Sequence, residues 1–482
     1  EVLVDRVFGR LRAKGRGYTT GLEPSPGLTT TLTQAIRDLR LAGLRSSNVK
    51  DAAFEVKRKG DEIRQLLSNF EKALKTERLV DDSEVLRMAV EKLKSDPGVL
   101  PKETLVLVPE DLAEDLRLLE KAFLECIPQK QRIVLPVDQP ETGSQDERTD
   151  RGLLGWVLKP AEAPAPRQDG TARIFRAVGE VNEVREVLRS CLGQGLPFDE
   201  VEILHTDAAT YVPLIYEIAC RLTEEDTGEA LPVTFAEGIP ARYGRPARAL
   251  LGWLSWIRDG YPQSTLTRMI QDGLLRMEEA EKDGLSFADL GKRLRSVPIG
   301  NGRERYLSKI DGARNAAERK KASGRLSDEE GEGAGDEAAR MDRRIRELDA
   351  IRRLVRGLLS NTPGTVDRQR ELLEAAQVFL DRHARHTNRF DEYARKKLSD
   401  EIQGLAECVE NEDVEGWDIQ KWLEDKCLAS PVRGERPQPG RLHVAPVYGG
   451  GHSGRKHTFI VGLDDSRFPG AGLQDPLLLD GE

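Results

Sequence analysis

The chain has 482 residues, which at roughly 150 residues per domain provides for about three domains and excludes a small stapled module. Its 74 Lys and Arg against 83 Asp and Glu give a net charge of -9, so any nucleic-acid contact needs local basic patches rather than a bulk basic field. A 38% apolar content with 44 Gly and 25 Pro excludes collagen-like and wholly disordered chains.

No run reaches the 18 or so apolar residues of a membrane span, and the N-terminal EVLVDRVFGR lacks the apolar core of a signal peptide, so a cytoplasmic protein is expected. Cys126, Cys191, Cys220, Cys408 and Cys427 never form a C-x-x-C pair, which points to free thiols rather than a disulfide framework or zinc site. The chain opens at Glu1 without Met and stops directly after PLLLD, as a piece of a longer protein would.

Residues 28 to 95 read as helices: Leu32, Ala35, Ile36 and Leu39 share one face, as do Ile63, Leu66, Leu67, Phe70 and Leu74. Asp81, Asp82 and Ser83 offer N-caps to the following helix, and Asp96-Pro97-Gly98 ends it. Thr104 to Val108 and Arg132 to Leu135 then read as buried strands around a helix over 111–126. Residues 139–170, rich in Pro, Gly, Gln and Asp, read as a linker. Beyond it a strand at 172–178, a helix at 180–193, a strand at 201–205 and a helix at 209–223 make a βαβα unit, which implies a parallel sheet. From 244 to 427 the pattern is helical, interrupted by a Gly-rich acidic stretch at 323–338 read as a disordered loop. Strands return at 441–447 and 458–463, so a long helical insertion divides an α/β domain.

Candidate chemistry is sparse. No G-x-x-x-x-G-K-[ST] loop and no G-x-S-x-G elbow occurs. The best phosphate-contacting loop is the Gly-rich run 449–457, with Gly450, His452, Arg455, Lys456 and His457; the competing reading is a solvated, hairpin-like loop. Trp253 and Trp256 could stack bases, although their i, i+3 spacing on an apolar helix equally suits a core. His383 and His386 would share a helix face at metal-binding spacing, against a solvated-face alternative. Asp51, Glu55 and Lys57 imitate a nuclease pattern but lie in a helical or loop stretch. Arginines 340, 343, 344, 346, 352, 353 and 356 line a helix whose Glu347 and Asp349 weaken any DNA-directed field.

The run HTFIVGLDDSRFPGAGLQDPLLLD (457–480) resembles a segment of UvrD-like superfamily I helicases and, more closely, of the B subunit of AddAB-type ATP-dependent helicase-nucleases. TTTLTQAIRDLRLAGL (29–44), RLVDDSEVLRMAVEKL (78–93) and the stretch 174–219 agree in the same order. The resemblance implies an α/β fold of RecA-like parallel-sheet helicase domains with large helical insertions. It lays them out as a helical subdomain at 1–100, the end of a first RecA-like domain at 101–138, the linker at 139–170, and a second RecA-like domain at 171–240 and 430–482, interrupted by the insertion at 241–429.

Four motor motifs of that family are eroded. Val108-Pro109-Glu110-Asp111 offers no Asp at the strand end to hold Mg2+, and Pro136-Val137-Asp138-Gln139 replaces a Gly-Asp-x-x-Gln motif. No Arg follows VEILH within 206–210, and the Gly449 to His457 loop stands where a T-x-H-x-x-K-G-L-E motif belongs. The implied function is a motor-inactive, DNA-binding part of a helicase-nuclease subunit in double-strand break repair by recombination, with single-stranded DNA and an A-type subunit as partners. No cofactor is expected in this piece, ATP and Mg2+ belonging to the parent protein. An active superfamily I helicase and a scaffold subunit without DNA binding are the alternatives.

Overall fold

The computed structural model describes residues 2–13, 15, 17–19, 26–50, 53–110, 113, 116–135, 161, 165, 170–222, 232–324, 332–364, 368–409, 418–451, 453–464, 466–468 and 478. The chain divides into two compact units, residues 1–175 with 415–417 and 473–482, and residues 176–414 with 418–472.

In the first unit, helices α1 (Val2–Arg12), α2 (Pro26–Leu41) and α3 (Lys57–Glu77) build a core. Val4, Val7, Phe8 and Leu11 meet Leu32, Ala35 and Ile36, and then Ile63, Leu66, Leu67, Phe70 and Leu74. These positions recur at the i, i+3, i+4 spacing of a helical face, and each large apolar side chain so buried contributes about 1.5–3 kcal/mol. Asp81 caps α4 (Asp82–Ser95) by accepting from the Glu84 amide at 2.9 Å. The same carboxylate takes two hydrogen bonds, of 2.6 and 2.9 Å, from the buried guanidinium of Arg40 on α2, so one acid both starts a helix and ties it to its neighbour.

Strand β1 (Val106–Pro109), helix α5 (Leu118–Cys126) and strand β2 (Arg132–Leu135) follow, the two strands paired in parallel. They are not the buried strands expected: Val108 is buried, whereas Leu107, Ile133, Val134 and Leu135 are all exposed, because a two-stranded sheet has too few neighbours to cover both faces. Leu478 packs on the core of this first unit.

The second unit is built on a four-stranded, all-parallel sheet in the order β4-β7-β3-β8, from β3 (Val201–His205), β4 (Val233–Phe235), β7 (Leu442–Pro446) and β8 (His457–Val461). Helices α6 (Glu180–Gly193) and α7 (Ala208–Cys220) cover one face. There Val184, Val187, Leu188, Cys191, Tyr211 and Ile215 pack on Val201, Ile203, Leu442, Val444 and Val461. The strand expected at 172–178 does not form: that stretch has no regular structure, and Ile174 is fully exposed, since no strand offers it a ladder. Apolar composition without a pairing partner does not make a strand.

Between β4 and β7 the chain makes a helical excursion whose ends are pinned together. β5 (Ile239–Pro240) pairs antiparallel with β6 (Pro431–Val432), closing its base. Its helices are α8 (Arg245–Arg258), α9 (Gln263–Gln271), α10 (Glu278–Lys282), α11 (Phe287–Arg295), α12 (Arg305–Gly324), α13 (Glu332–Asn361), α14 (Gln369–Arg382), α15 (Arg389–Cys408) and α16 (Ile419–Ala429). The loop expected at 323–338 is shorter at both ends, because α12 runs to Gly324 and α13 begins at Glu332; residues 325–331 lie outside the described set, as does most of the expected linker. Among the described residues no helix is long and apolar enough to cross a membrane.

Candidate functional site

Strands β7 and β8 both run parallel to β3 and flank it, so residues 447–456 cannot be a hairpin turn; they cross over the sheet to reach the start of β8. Side-chain alternation turns Glu202, Leu204, His443 and Ala445 to the face opposite α6 and α7, and the crossover lies on that face. A Cβ at Gly450 would stand 2.1 Å from Leu204 Cδ2 and 3.1 Å from the Pro446 carbonyl. Gly450 therefore serves close packing of backbone on sheet, not close approach to a phosphate.

Arg455 ends the crossover by donating to the carbonyl oxygens of Phe198 (2.7 Å), Val201 (3.1 Å) and Gln438 (3.2 Å). Burial lowers its pKa, but the guanidinium is spent on main-chain acceptors. Lys456 pairs with Glu200 at 2.5 Å. Both residues stand at the beginning of β3, whereas open parallel sheets bind ligands at the carboxyl ends of their strands. His457 is the first residue of β8 and pairs with Val201; His452 lies outside the described residues. Gly450 and Arg455 are thus taken up by close packing and by main-chain acceptors, whereas Lys456 stays exposed in its pair with Glu200.

The base-stacking expectation is corrected as well. Trp253 and Trp256 are fully buried. Trp253 stacks on Phe379 with centroids 5.1 Å apart and donates from Nε1 to Thr362 Oγ1 at 3.1 Å. Trp256 meets Tyr261 and Tyr306 edge to face and donates from Nε1 to the Tyr306 hydroxyl at 2.9 Å, which itself donates to the Tyr261 carbonyl at 3.1 Å. With faces and N–H groups both satisfied, these indoles form the core of the helical excursion.

The histidine pair does not share a helix face, because α14 ends at Arg382 and His383 is its C-cap. His383 Nε2 meets Asn361 Nδ2 at 2.9 Å, and burial pushes its pKa down to about 4. His386 Nδ1 meets an Arg276 guanidinium nitrogen at 3.1 Å. No group of three or more metal-ligating side chains occurs among the described residues. Asp51 lies outside them, and Glu55 and Lys57 are exposed, Glu55 two residues before α3 and Lys57 at its start.

On α13, Leu348, Ile351, Val355 and Leu358 are buried as the spacing requires. Several of its arginines are ion-paired: Arg343 with Asp289 and Glu347, Arg352 with Asp311, and Arg353 with Glu279. Arg340, Arg346 and Arg356 are exposed, with no ion pair among the described residues.

The constellation at the carboxyl ends of the strands centres on Arg467, which sequence reasoning did not single out although it sits inside the Gly-Leu, acidic-turn, Phe-Pro run. Arg467 donates to Glu180 at 2.7 Å and Asp464 at 2.8 Å, lies 3.9 Å from Asp207, and places its guanidinium over the Tyr211 ring, 5.7 Å from the centroid. Glu183 accepts from the Tyr211 hydroxyl at 2.6 Å and from the Gly462 amide at 3.0 Å, while Thr206 donates to the Gly462 carbonyl at 2.8 Å. Gly462 has φ +82, and a Cβ there would collide with Thr206 Oγ1 at 2.2 Å. The Arg467 hydrogen bond holds the Glu180 carboxyl below its usual range; the Ser466 hydroxyl and then Arg467 lower Asp464; burial, followed by Glu183, raises the Tyr211 phenol. These contacts fasten Gly462 and Arg467 to the start of α6 and to Thr206 at the carboxyl end of β3. An anion arriving at Arg467 must displace carboxylates, so this end of the sheet is built for holding the chain rather than for binding phosphate.

Compared with known proteins, the chain matches no family model and no curated protein.

Proposed function

We propose that this chain is a helicase-like, motor-inactive part of an ATP-dependent helicase-nuclease subunit, gripping single-stranded DNA during double-strand break repair by recombination beside an A-type subunit. The supporting observation is the divided sheet: β3 pairs with strands that follow it by more than 200 residues, and the intervening helices leave and re-enter through the β5–β6 pair. This is the arrangement that the resemblance implies, a parallel-sheet domain carrying a large helical insertion. The end of β1 supports the loss of motor function, because Pro109 and Glu110 follow Val108 where a Mg2+-holding Asp would be needed. Arg340, Arg346 and Arg356 on α13, exposed and without an ion pair among the described residues, support backbone contact with DNA.

A second reading, a scaffold subunit without DNA binding, is favoured by the internal engagement of Arg455 and by the burial of both tryptophans. Anisotropy of a labelled single-stranded oligonucleotide titrated with the chain at several salt concentrations separates the two. DNA gripping requires affinity that falls with salt, at a log–log slope of about 0.7 per phosphate contacted, and Arg346→Ala with Arg356→Ala should flatten that slope. Absence of binding even at low salt leaves the scaffold reading. Robust DNA-stimulated ATP turnover would overturn the loss of motor function.

A further inference from the structure

The helical part of the second unit contains a cavity of about 320 Å³ between the 276–280 segment, α13 and the end of α14. Its size is at the lower end of the ~300–1,000 Å³ range of small-molecule sites. Arg276, Arg353 and Arg382 line it from three separate segments, together with the buried Met277 and Leu354.

The backbone holds two of these segments in register. The Arg276 amide donates to the His383 carbonyl at 2.8 Å, the Arg385 amide donates to the Leu274 carbonyl at 2.9 Å, and Leu275 bridges Ala384. Contact between Arg276 and His386 fixes the first guanidinium further. Such anchoring preorganises the Arg276 donors before any ligand arrives.

Three guanidiniums face two carboxylates, Glu278 and Glu279, which leaves a net positive lining. The pairings are weak ones: Arg276 stands 3.8 Å from Glu278, and Arg353 is 2.9 Å from Glu279, with the carboxylates 65% and 70% exposed. Exposed pairs of this kind contribute about 0–1 kcal/mol. Arg382 has no ion-pair partner among the described residues. A phosphate monoester carries up to two charges and three terminal oxygens and accepts bidentate forks from arginine, which suits a lining whose three guanidiniums outnumber its two carboxylates.

We infer that this cavity binds a 5′-phosphorylated nucleoside, the phosphate held by Arg276, Arg353 and Arg382 and the nucleoside resting on Met277 and Leu354. The phosphomonoester has two sources, a free nucleoside monophosphate or the 5′ end of a DNA strand. The chemistry of the pocket stands apart from the gripping of internal DNA phosphates proposed above.

Calorimetric titration of the full chain with inorganic phosphate, thymidine 5′-monophosphate, a 5′-phosphorylated oligonucleotide and its 5′-hydroxyl twin tests the inference. Saturable binding of a phosphomonoester is expected, weakened about tenfold or more by Arg382→Ala, which removes a charge-assisted donor from an exposed position. The variant's thermal melt should match the parent's. Thymidine monophosphate binding as tightly as the phosphorylated oligonucleotide identifies the free nucleotide as the source; a tighter phosphorylated oligonucleotide identifies the DNA end. No saturable binding of any phosphomonoester, or equal affinity of parent and Arg382→Ala, overturns the inference. So does equal binding of the phosphorylated and hydroxyl oligonucleotides, and that result would leave the DNA-gripping proposal standing.

Discussion

Leu204 of β3 and Gly450 of the crossover touch so closely that a single added carbon at 450 would lie 2.1 Å from Leu204 Cδ2. That contact makes the Gly-rich loop part of the sheet's cover. Gly450→Ala should therefore destabilise the chain by about 1–3 kcal/mol, the usual cost of overpacking, read as a lower urea midpoint with an unchanged slope. A mobile, solvated loop would tolerate the change.

Arg455 and Lys456 are neighbours in sequence and opposites in consequence. Arg455→Met strips the donors from the carbonyls of Phe198, Val201 and Gln438, at a cost of roughly 1–3 kcal/mol. Lys456→Ala removes one exposed pair with Glu200 and should change stability by less than about 0.5 kcal/mol. Chemical denaturation of both variants checks the contrast, and equal effects would contradict the geometry.

Trp256→Phe leaves the Tyr306 hydroxyl without its indole donor and opens space beside Tyr261. The expected loss is about 1–3 kcal/mol of stability with no change in oligonucleotide affinity. A selective loss of DNA binding at unchanged stability would return this indole to a stacking role.

Burial depresses the pKa of His383 from the ordinary 6.5 to about 4 in the folded chain. Between those values the unfolded chain holds the extra proton, so stability rises with pH across that window and is lost as pH falls from 6.5 toward 4. His205 and His443, also lowered by burial, add in the same direction. Denaturation at pH 5 and pH 7 should show the fall, and His383→Gln should reduce the pH dependence without abolishing it. A pH dependence identical in the variant would place His383 in an environment like water.

Local pattern made much of the fold legible. Leu32, Ala35 and Ile36, or Leu348, Ile351 and Val355, announce buried helix faces because helical spacing is a property of adjacent residues. The capping role of Asp81, the parallel sheet and the helical excursion follow from similarly short-range signals. The strand expected at 172–178 does not form because strand formation needs a partner, and among the described residues none pairs with this stretch.

The candidate site was less legible, because it depends on neighbours far apart in the chain. Composition and spacing alone determined that Gly450, Arg455 and Lys456 lie together between two strands, and that Trp253 and Trp256 share a helix. Only the tertiary structure decided where those groups point. Parallel pairing of β7 and β8 about β3 turned a presumed hairpin into a crossover, whose end Arg455 pins to three carbonyls. Tertiary packing likewise gathered Glu180, Asp207, Asp464 and Arg467 at one end of the sheet, and Arg276, Arg353 and Arg382 around one cavity. Periodicity fixes which face a side chain takes; the charge or acceptor that meets it there is set by chain packing across hundreds of residues.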